Sequence, residues 1–208
     1  MIRDWRLKAA ASGVGELRQG SDGQALSVDV GYERFVRTPL QSSEAEELSQ
    51  VDTAAQSLLR FMEESGAMID AAHVHGAQSS IIQGILGQLL MDIGFREEVV
   101  LTPQQGFVTR ARPDFYMGLS PGRGVLAEVE RGGTVNNNHD LKDIWKAHIA
   151  SDAQHLFLIV PISNFKADGA AREKPFVRVT HRAASFFGDP RRQIDVLSLH
   201  VFGYGRSG

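Results

Sequence analysis

Three carboxylates stand where acidic side chains are unusual. Asp114 lies in the run Arg112-Pro-Asp-Phe-Tyr116, and Glu128-Val-Glu130 follows shortly after. Residues 107–117 read as one β-strand and 125–131 as the next, in which Val125, Ala127 and Val129 point one way and Leu126, Glu128 and Glu130 the other. The stretch 119–124 holds Pro121, Gly122 and Gly124 and reads as the turn between them. A short turn makes the strands adjacent and antiparallel, so Asp114, Glu128 and Glu130 can converge. An unpaired charge inside a covered strand is costly. A divalent cation is one remedy. Mg²⁺ takes oxygen ligands, typically one or two carboxylates with waters and substrate phosphate. Such a centre polarises a phosphodiester and lowers the pKa of an attacking water. A solvent-facing sheet would also alternate apolar and acidic residues. The flanking helices argue against that reading, because they should cover the sheet.

The elements that must position these residues are legible from periodicity. Ser43 and Glu46 form a capping box that opens a helix over 43–65. Its stripe is Leu48, Val51, Ala55, Leu58, Leu59 and Met62, and Gly66 is the expected stop. A second helix spans 77–93, with Ile81, Ile82, Ile85, Leu86, Leu89, Leu90 and Ile93 at helical spacing. Gly84 and Gly87 inside it each cost roughly 1 kcal/mol relative to Ala, which suggests close packing. Gly94 ends it. Strands are expected over 25–30 and 97–102, with a turn at 104–106. Asn138 is the expected N-cap of a helix over 139–150, with Leu141, Ile144, Trp145, His148 and Ile149 on its apolar side. Residues 156–160 are a continuous apolar run that fits a buried central strand. A short helix near 181–187 and a last strand over 196–202 complete the chain. The order from residue 77 is α-β-β-β-α-β, an α/β fold with a mixed sheet flanked by helices.

The sequence here resembles the PD-(D/E)XK nuclease superfamily, the restriction-endonuclease-like fold. The matching residues are Arg112 to Tyr116, then Glu128-Val129-Glu130, then the helix Asp140 to Ile149, then the strand 156–160. The resemblance covers about residues 77–161, with 195–202 as a further strand. It implies a Mg²⁺- or Mn²⁺-dependent nuclease, with DNA as the expected polymer. Asp114 and Glu128 match the family's metal ligands. Glu130 stands where the family usually has lysine. Some members carry glutamate there, which implies a role on the attacking water or on a second metal. Lys146 or Lys142 could supply the missing positive charge from the next helix, as in some relatives; either is otherwise an ordinary exposed helix position. Lys142 is also a candidate contact to nucleic acid. Gln83 falls where some relatives place an acidic or amide residue near the metal.

The segment Arg131-Gly-Gly-Thr-Val-Asn-Asn-Asn-His139 follows the acidic pair. A connecting loop explains Gly133 and Asn138. Asn136 and Asn137 are the candidates for contact with phosphate or base edges. The chain has 208 residues and a net charge of −3. Nine basic and fifteen acidic side chains precede residue 111, whereas ten basic and seven acidic follow residue 138. The basic excess of the last third suits a polyanion, or is simply a solvated surface. Hydrophobic residues make up 42% of the chain, which excludes wholesale disorder. No cysteine is present, so thiolate chemistry and cysteine-ligated metals are excluded. No apolar run reaches the roughly 18 residues of a membrane span. The start lacks the apolar core of a secretory signal, so the cytoplasm is the expected compartment. His73-Val-His75 lacks a third ligand, and neither a G-x-S-x-G elbow nor a P-loop occurs. One domain over 1–208 is expected, with 1–66 as an extension of a core over 77–202. A two-fold homodimer would suit double-strand cutting. The rival expectation is a non-catalytic nucleic-acid- or protein-binding module on the same fold, motivated by Glu130 and by the acidic first half.

Overall fold

A computed structural model describes residues 30–97, 112–187, 191 and 194–208. The described residues begin with strand β1 (Gly31–Val36), helices α1 (Ser42–Glu64), α2 (Gly66–Ala72) and α3 (Ser79–Asp92), and the two-residue strand β2 (Arg96–Glu97). Strands β3 (Phe115–Ser120) and β4 (Arg123–Val129), helix α4 (His139–Ile149) and strand β5 (His155–Pro161) follow. The hairpin β6 (Asn164–Phe165) and β7 (Ala171–Glu173), helix α5 (Pro175–Phe187) and strand β8 (Ser198–Tyr204) end the series. Six strands form one mixed sheet in the order β1-β8-β5-β4-β3-β2. The β4–β5 and β5–β8 pairs are parallel, and the other pairs are antiparallel.

The two sides of the sheet carry separate cores. Val125, Ala127, Val129, Phe157, Ile159 and Phe202 face α1, α2 and α3, meeting Leu58, Ile69, Ile82 and Leu86. Leu126, Leu156, Leu158, Val160, Leu199 and Val201 face α4 and α5, meeting Ile144, Ala147, Val179 and Ala183. This is why β5 reads as a continuous apolar run: every residue is buried on one side or the other. Each such Leu, Ile or Val contributes roughly 1.5–3 kcal/mol by leaving water. Among the described residues, no helix is long and apolar enough to cross a membrane.

The order α3-β2-β3-β4-α4-β5 is the one read from the sequence, with several corrections. The first helix is capped by Gln41 with Glu44, not by Ser43 with Glu46. Gly66 does not end the helical region; it opens α2, about two turns folded back onto α1 and α3. A β-carbon at Gly87 would fall 3.3 Å from the Phe115 ring, in line with the expected close packing, whereas Gly84 is exposed and nothing lies within 4 Å of a β-carbon built there. Asn138 takes the left-handed conformation and makes no side-chain cap. Trp145 is 60% exposed, because α4 instead buries Asp140, Asp143, Ile144 and Ala147. The last helix starts earlier than expected, at Pro175, and the last strand is shifted to Ser198–Tyr204. Strand β1 and the β6–β7 hairpin were not anticipated. The expected strand over 25–30, most of the strand over 97–102, the turn at 104–106 and the start of the strand over 107–117 lie outside the described residues.

The β3–β4 turn contracts to Pro121-Gly122, with Gly122 at φ +72°. Just beyond it, Gly124 pairs with Gly118. A β-carbon at Gly124 would fall 2.7 Å from the Met117 carbonyl oxygen and 2.6 Å from the Tyr116 ring. Gly124→Ala is therefore expected to destabilise the fold by about 1–3 kcal/mol, the range for overpacking. Urea unfolding checks this; an unchanged midpoint would show that the β3–β4 hairpin is looser than described.

A chain of polar groups is buried where β1, β8 and β5 meet α1. Tyr32 Oη lies 2.9 Å from His200 Nδ1, and His200 Nε2 lies 3.1 Å from Ser198 Oγ. Ser198 Oγ lies 2.7 Å from His155 Nδ1, and His155 Nε2 lies 2.7 Å from Glu47 Oε1. Arg123 closes the chain with a bidentate contact to Glu47, 2.7 Å at its shortest. One proton arrangement satisfies every group: each donates toward Glu47, and both imidazoles are neutral. Burial pushes both imidazoles down, His200 to about 3. Burial raises the Glu47 carboxyl, but hydrogen bonds from Arg123 and His155 outweigh it and leave it lowered. Ser198 and His155 are fully buried, so this Ser-His-Glu series has no access to a substrate and acts as a structural tie. His155 therefore belongs to the core of the sheet.

Candidate functional site

Antiparallel pairing of Phe115 with Ala127 sets Asp114 opposite Glu128. The two are laced together by main-chain contacts. The Val129 N–H donates to Asp114 Oδ2 at 2.8 Å, and the Asp114 N–H donates to Glu128 Oε2 at 3.4 Å. Glu128 shares its sheet face with Leu126, so its side chain points toward α4. There it meets Lys146, whose Nζ donates to Glu128 Oε1 at 2.5 Å and to Asp143 Oδ1 at 3.2 Å. Asp143 and Lys146 are three residues apart on one helical face, which is why they act together. Glu130 follows the end of β4 and accepts from His139 Nδ1 at 2.9 Å. These side chains, with Gln83 from α3, line one cleft of ≈ 450 Å³.

The electrostatics of the cleft are those of too many carboxylates out of water. Glu128 is 3% exposed and Asp143 5%. Burial raises the Glu128 carboxyl, the Asp143 and Asp114 charges raise it further, and Lys146 opposes them. Asp143 is raised by burial, with Lys146 opposing and Glu130 adding to the rise. Glu130 is pushed up to about 7, chiefly by burial. Burial lowers the Lys146 ammonium, but Glu128 and Asp143 outweigh it and leave it raised. Asp143 Oδ2 is buried with no hydrogen-bond partner.

Four carboxylates facing one lysine, with an orphaned buried oxygen among them, form a donor set that fits a hard divalent cation. The set is not closed around one. Asp114 Oδ2 is held by a main-chain N–H, Glu130 by His139, and Glu128 by Lys146. As the side chains stand, no three His, Asp or Glu among the described residues are gathered into a metal cage. The Lys146 ammonium takes the place beside Glu128.

Asp114, Glu128, Glu130, Lys146 and Gln83, all singled out from the sequence, line this one cleft. Lys146 is not the ordinary exposed lysine its position suggests. Asn136 and Asn137 do not join the carboxylates; they line a neighbouring recess that shares Arg131 and Gly132 with the cleft. Lys142 is exposed on α4 and lines neither. Sequence reasoning missed Asp143 and His139. A signal for Asp143 was present in the spacing Asp140, Asp143 and Ala147, which is the buried stripe of α4. Assigning Trp145 to that stripe turned the helix the wrong way. Asp140 is buried as well, but Arg182 engages both its oxygens at 2.8 and 3.0 Å, which closes it to other ligands. No family model matches the chain, and no curated protein matches it.

Proposed function

We propose that the protein is a divalent-cation-dependent nuclease that hydrolyses phosphodiester bonds of nucleic acid, with DNA as the expected polymer. The observation that carries this reading is the meeting of Asp114, Glu128, Glu130, Asp143 and Lys146 in one cleft. The order of elements around the cleft is the order of the restriction-endonuclease-like core, and supports reading the fold as that one. Asp114 and Glu128 would hold Mg²⁺ or Mn²⁺, with Glu130 or Asp143 completing the oxygen set. Once bound, the cation supplies positive charge to the phosphate and acidifies water. Glu130, raised toward neutrality and backed by His139, is suited to take a proton from the attacking water. Lys146, which holds Glu128 here, would offer its ammonium to the phosphate. It would thus stand in for the lysine that Glu130 replaces in the motif.

A second reading, a binding module without catalysis, is favoured by the 2.5 Å contact that already neutralises Glu128 with Lys146. Supercoiled plasmid, single-stranded DNA and RNA incubated with Mg²⁺, Mn²⁺ or EDTA separate the two. Cleavage is expected with cation and lost in EDTA, in Asp114→Ala and in Lys146→Met. Cleavage that survives Asp114→Ala, or its absence together with no thermal stabilisation by either cation, overturns the nuclease reading.

A further inference from the structure

Two recesses continue the carboxylate cleft. The first, of ≈ 250 Å³, shares Arg131 and Gly132 with the cleft and is walled by Asn136, Asn164 and Glu173. The second, of ≈ 190 Å³, shares Asn136, Arg172 and Glu173 with the first and reaches Lys174 and Arg178. Together they form one furrow. It passes from the carboxylates over the loop after β4 and the β6–β7 hairpin to the start of α5.

Charge reverses along this furrow. The cleft sets four carboxylates against Lys146 and Arg131. The recesses set Arg131, Arg172, Lys174 and Arg178 against Glu173 alone. Arg172, Lys174 and Arg178 are exposed. None of the three forms an ion pair among the described residues, whereas Arg34, Arg37, Arg123 and Arg182 are each engaged by a carboxylate. Uncommitted cations beside a carboxylate cleft suit a polyanion whose reacting phosphate sits at one end. The first recess adds a second chemistry. Asn136 and Asn164 each donate to Glu173 at 2.9 Å, which holds a wall of amides and a carboxylate in one arrangement. Such groups match the hydrogen-bonding edges of bases. A base enters a recess only when it is out of the stack, as in a single strand.

We infer that this furrow is a track for single-stranded nucleic acid. The strand leads away from the carboxylate cleft, with an unstacked base in the Asn136–Asn164 recess and phosphates on Arg172, Lys174 and Arg178. The inference rests on the nuclease reading of the cleft and adds the strandedness and path of the substrate.

Gly132 offers a clean block. Its backbone needs no positive φ, and nothing lies within 4 Å of a β-carbon built there. Gly132 borders both the cleft and the first recess, so a larger side chain there is expected to obstruct the passage between them.

Fluorescence anisotropy of a labelled mixed-sequence oligonucleotide, single-stranded or annealed to its complement, tests the track on the full chain in EDTA. The single strand is expected to bind at least about tenfold tighter than the duplex. The triple variant Arg172→Ala, Lys174→Ala, Arg178→Ala is expected to lose about tenfold or more. Its slope of log affinity against log salt should flatten by about 2, at about 0.7 per phosphate on a single strand. Gly132→Leu should weaken binding with its unfolding midpoint unchanged, and Arg60→Ala, exposed on α1, should bind as the parent does. Equal or tighter binding of duplex, a triple variant with parental affinity and slope, or no binding by the parent overturns the track. Binding is read without cation, so the two readings fail separately. Furrow-dependent binding without cleavage in any cation removes the nuclease and keeps the track, and cleavage with furrow-independent binding does the reverse.

Discussion

Glu128→Gln is expected to reduce cation-dependent cleavage by about a thousandfold or more, and at the same time to stabilise the cation-free protein at about pH 8. The activity loss corresponds to roughly 4 kcal/mol of transition-state stabilisation, at about 1.36 kcal/mol per tenfold in rate. The stability gain follows from burial. Glu130 rises from the ordinary 4.5 to about 7 in the folded chain, and Glu128 and Asp143 rise in the same direction. Between 4.5 and about 7 the folded state holds more protons than the unfolded one. The Glu130 contribution is therefore fully present below 4.5 and is lost as pH rises through about 7, and Glu128 and Asp143 act in the same sense. His155 and His200 act oppositely. They are neutral when folded, so their contribution is lost as pH falls below their ordinary 6.5. In EDTA the unfolding midpoint should peak in mildly acidic solution and decline toward about pH 8. Mg²⁺ should flatten the alkaline decline by binding the folded state alone. Glu128→Gln should flatten it without Mg²⁺, since one titrating carboxyl is gone and Asp143 still holds Lys146. Scanning fluorimetry across pH, with and without cation, reads all of this. A midpoint that stays level to about pH 8 in EDTA would contradict the buried, proton-holding cleft.

The second large effect is expected far from the cleft. Glu47→Ala should destabilise the protein by about 2 kcal/mol, because it strands the His155 Nε2–H in the core and leaves Arg123 without its bidentate partner. For a chain of this size that is a fall of about 4–8 °C in Tm. Cation-dependent cleavage per folded molecule should be unchanged, since Glu47 lines no part of the cleft. Glu47→Gln, which keeps an acceptor for His155, should recover part of the loss. Equal Tm for Glu47→Ala and the parent would mean that water satisfies the imidazole and that the tie is dispensable.

The pattern of what was legible has physical causes. Strands buried on both sides announce themselves as unbroken apolar runs, so 156–160 was read nearly in place. The short turn between two strands brought Asp114 and Glu128 together, because a short antiparallel hairpin leaves few registers. Periodicity failed on α4, where the buried stripe carries Asp140 and Asp143 and the exposed side carries Trp145. A pattern that equates buried with apolar turns such a helix by about a third of a revolution, and the error fell on the side that supplies the site. Asn136 and Asn137 were expected only to contact phosphate or base edges, and closeness to the acids in sequence did not say where they stand. In space, Gly133 at φ +78° turns the loop away, and Asn136 is tied to Glu173 from a hairpin that no periodicity marks. The polar chain from Tyr32 to Arg123 joins residues as far as 168 positions apart, which no local pattern encodes.

That distance has a consequence for how the sheet comes into being. Strand β8 is the last strand in chain order, yet it stands between β1 and β5. As the chain emerges from the ribosome, β1 is made early and has no strand to pair with until residues 198–204 arrive. Helix α1 can meet α2 and α3 beforehand, but the imidazole that engages Glu47 has its own partner, Ser198, on that final strand. Assembly of this half of the sheet is thus a late event, governed by long loops rather than by neighbours. Until it occurs, β5 presents an open apolar edge, the kind of surface that chaperones hold and that aggregation exploits.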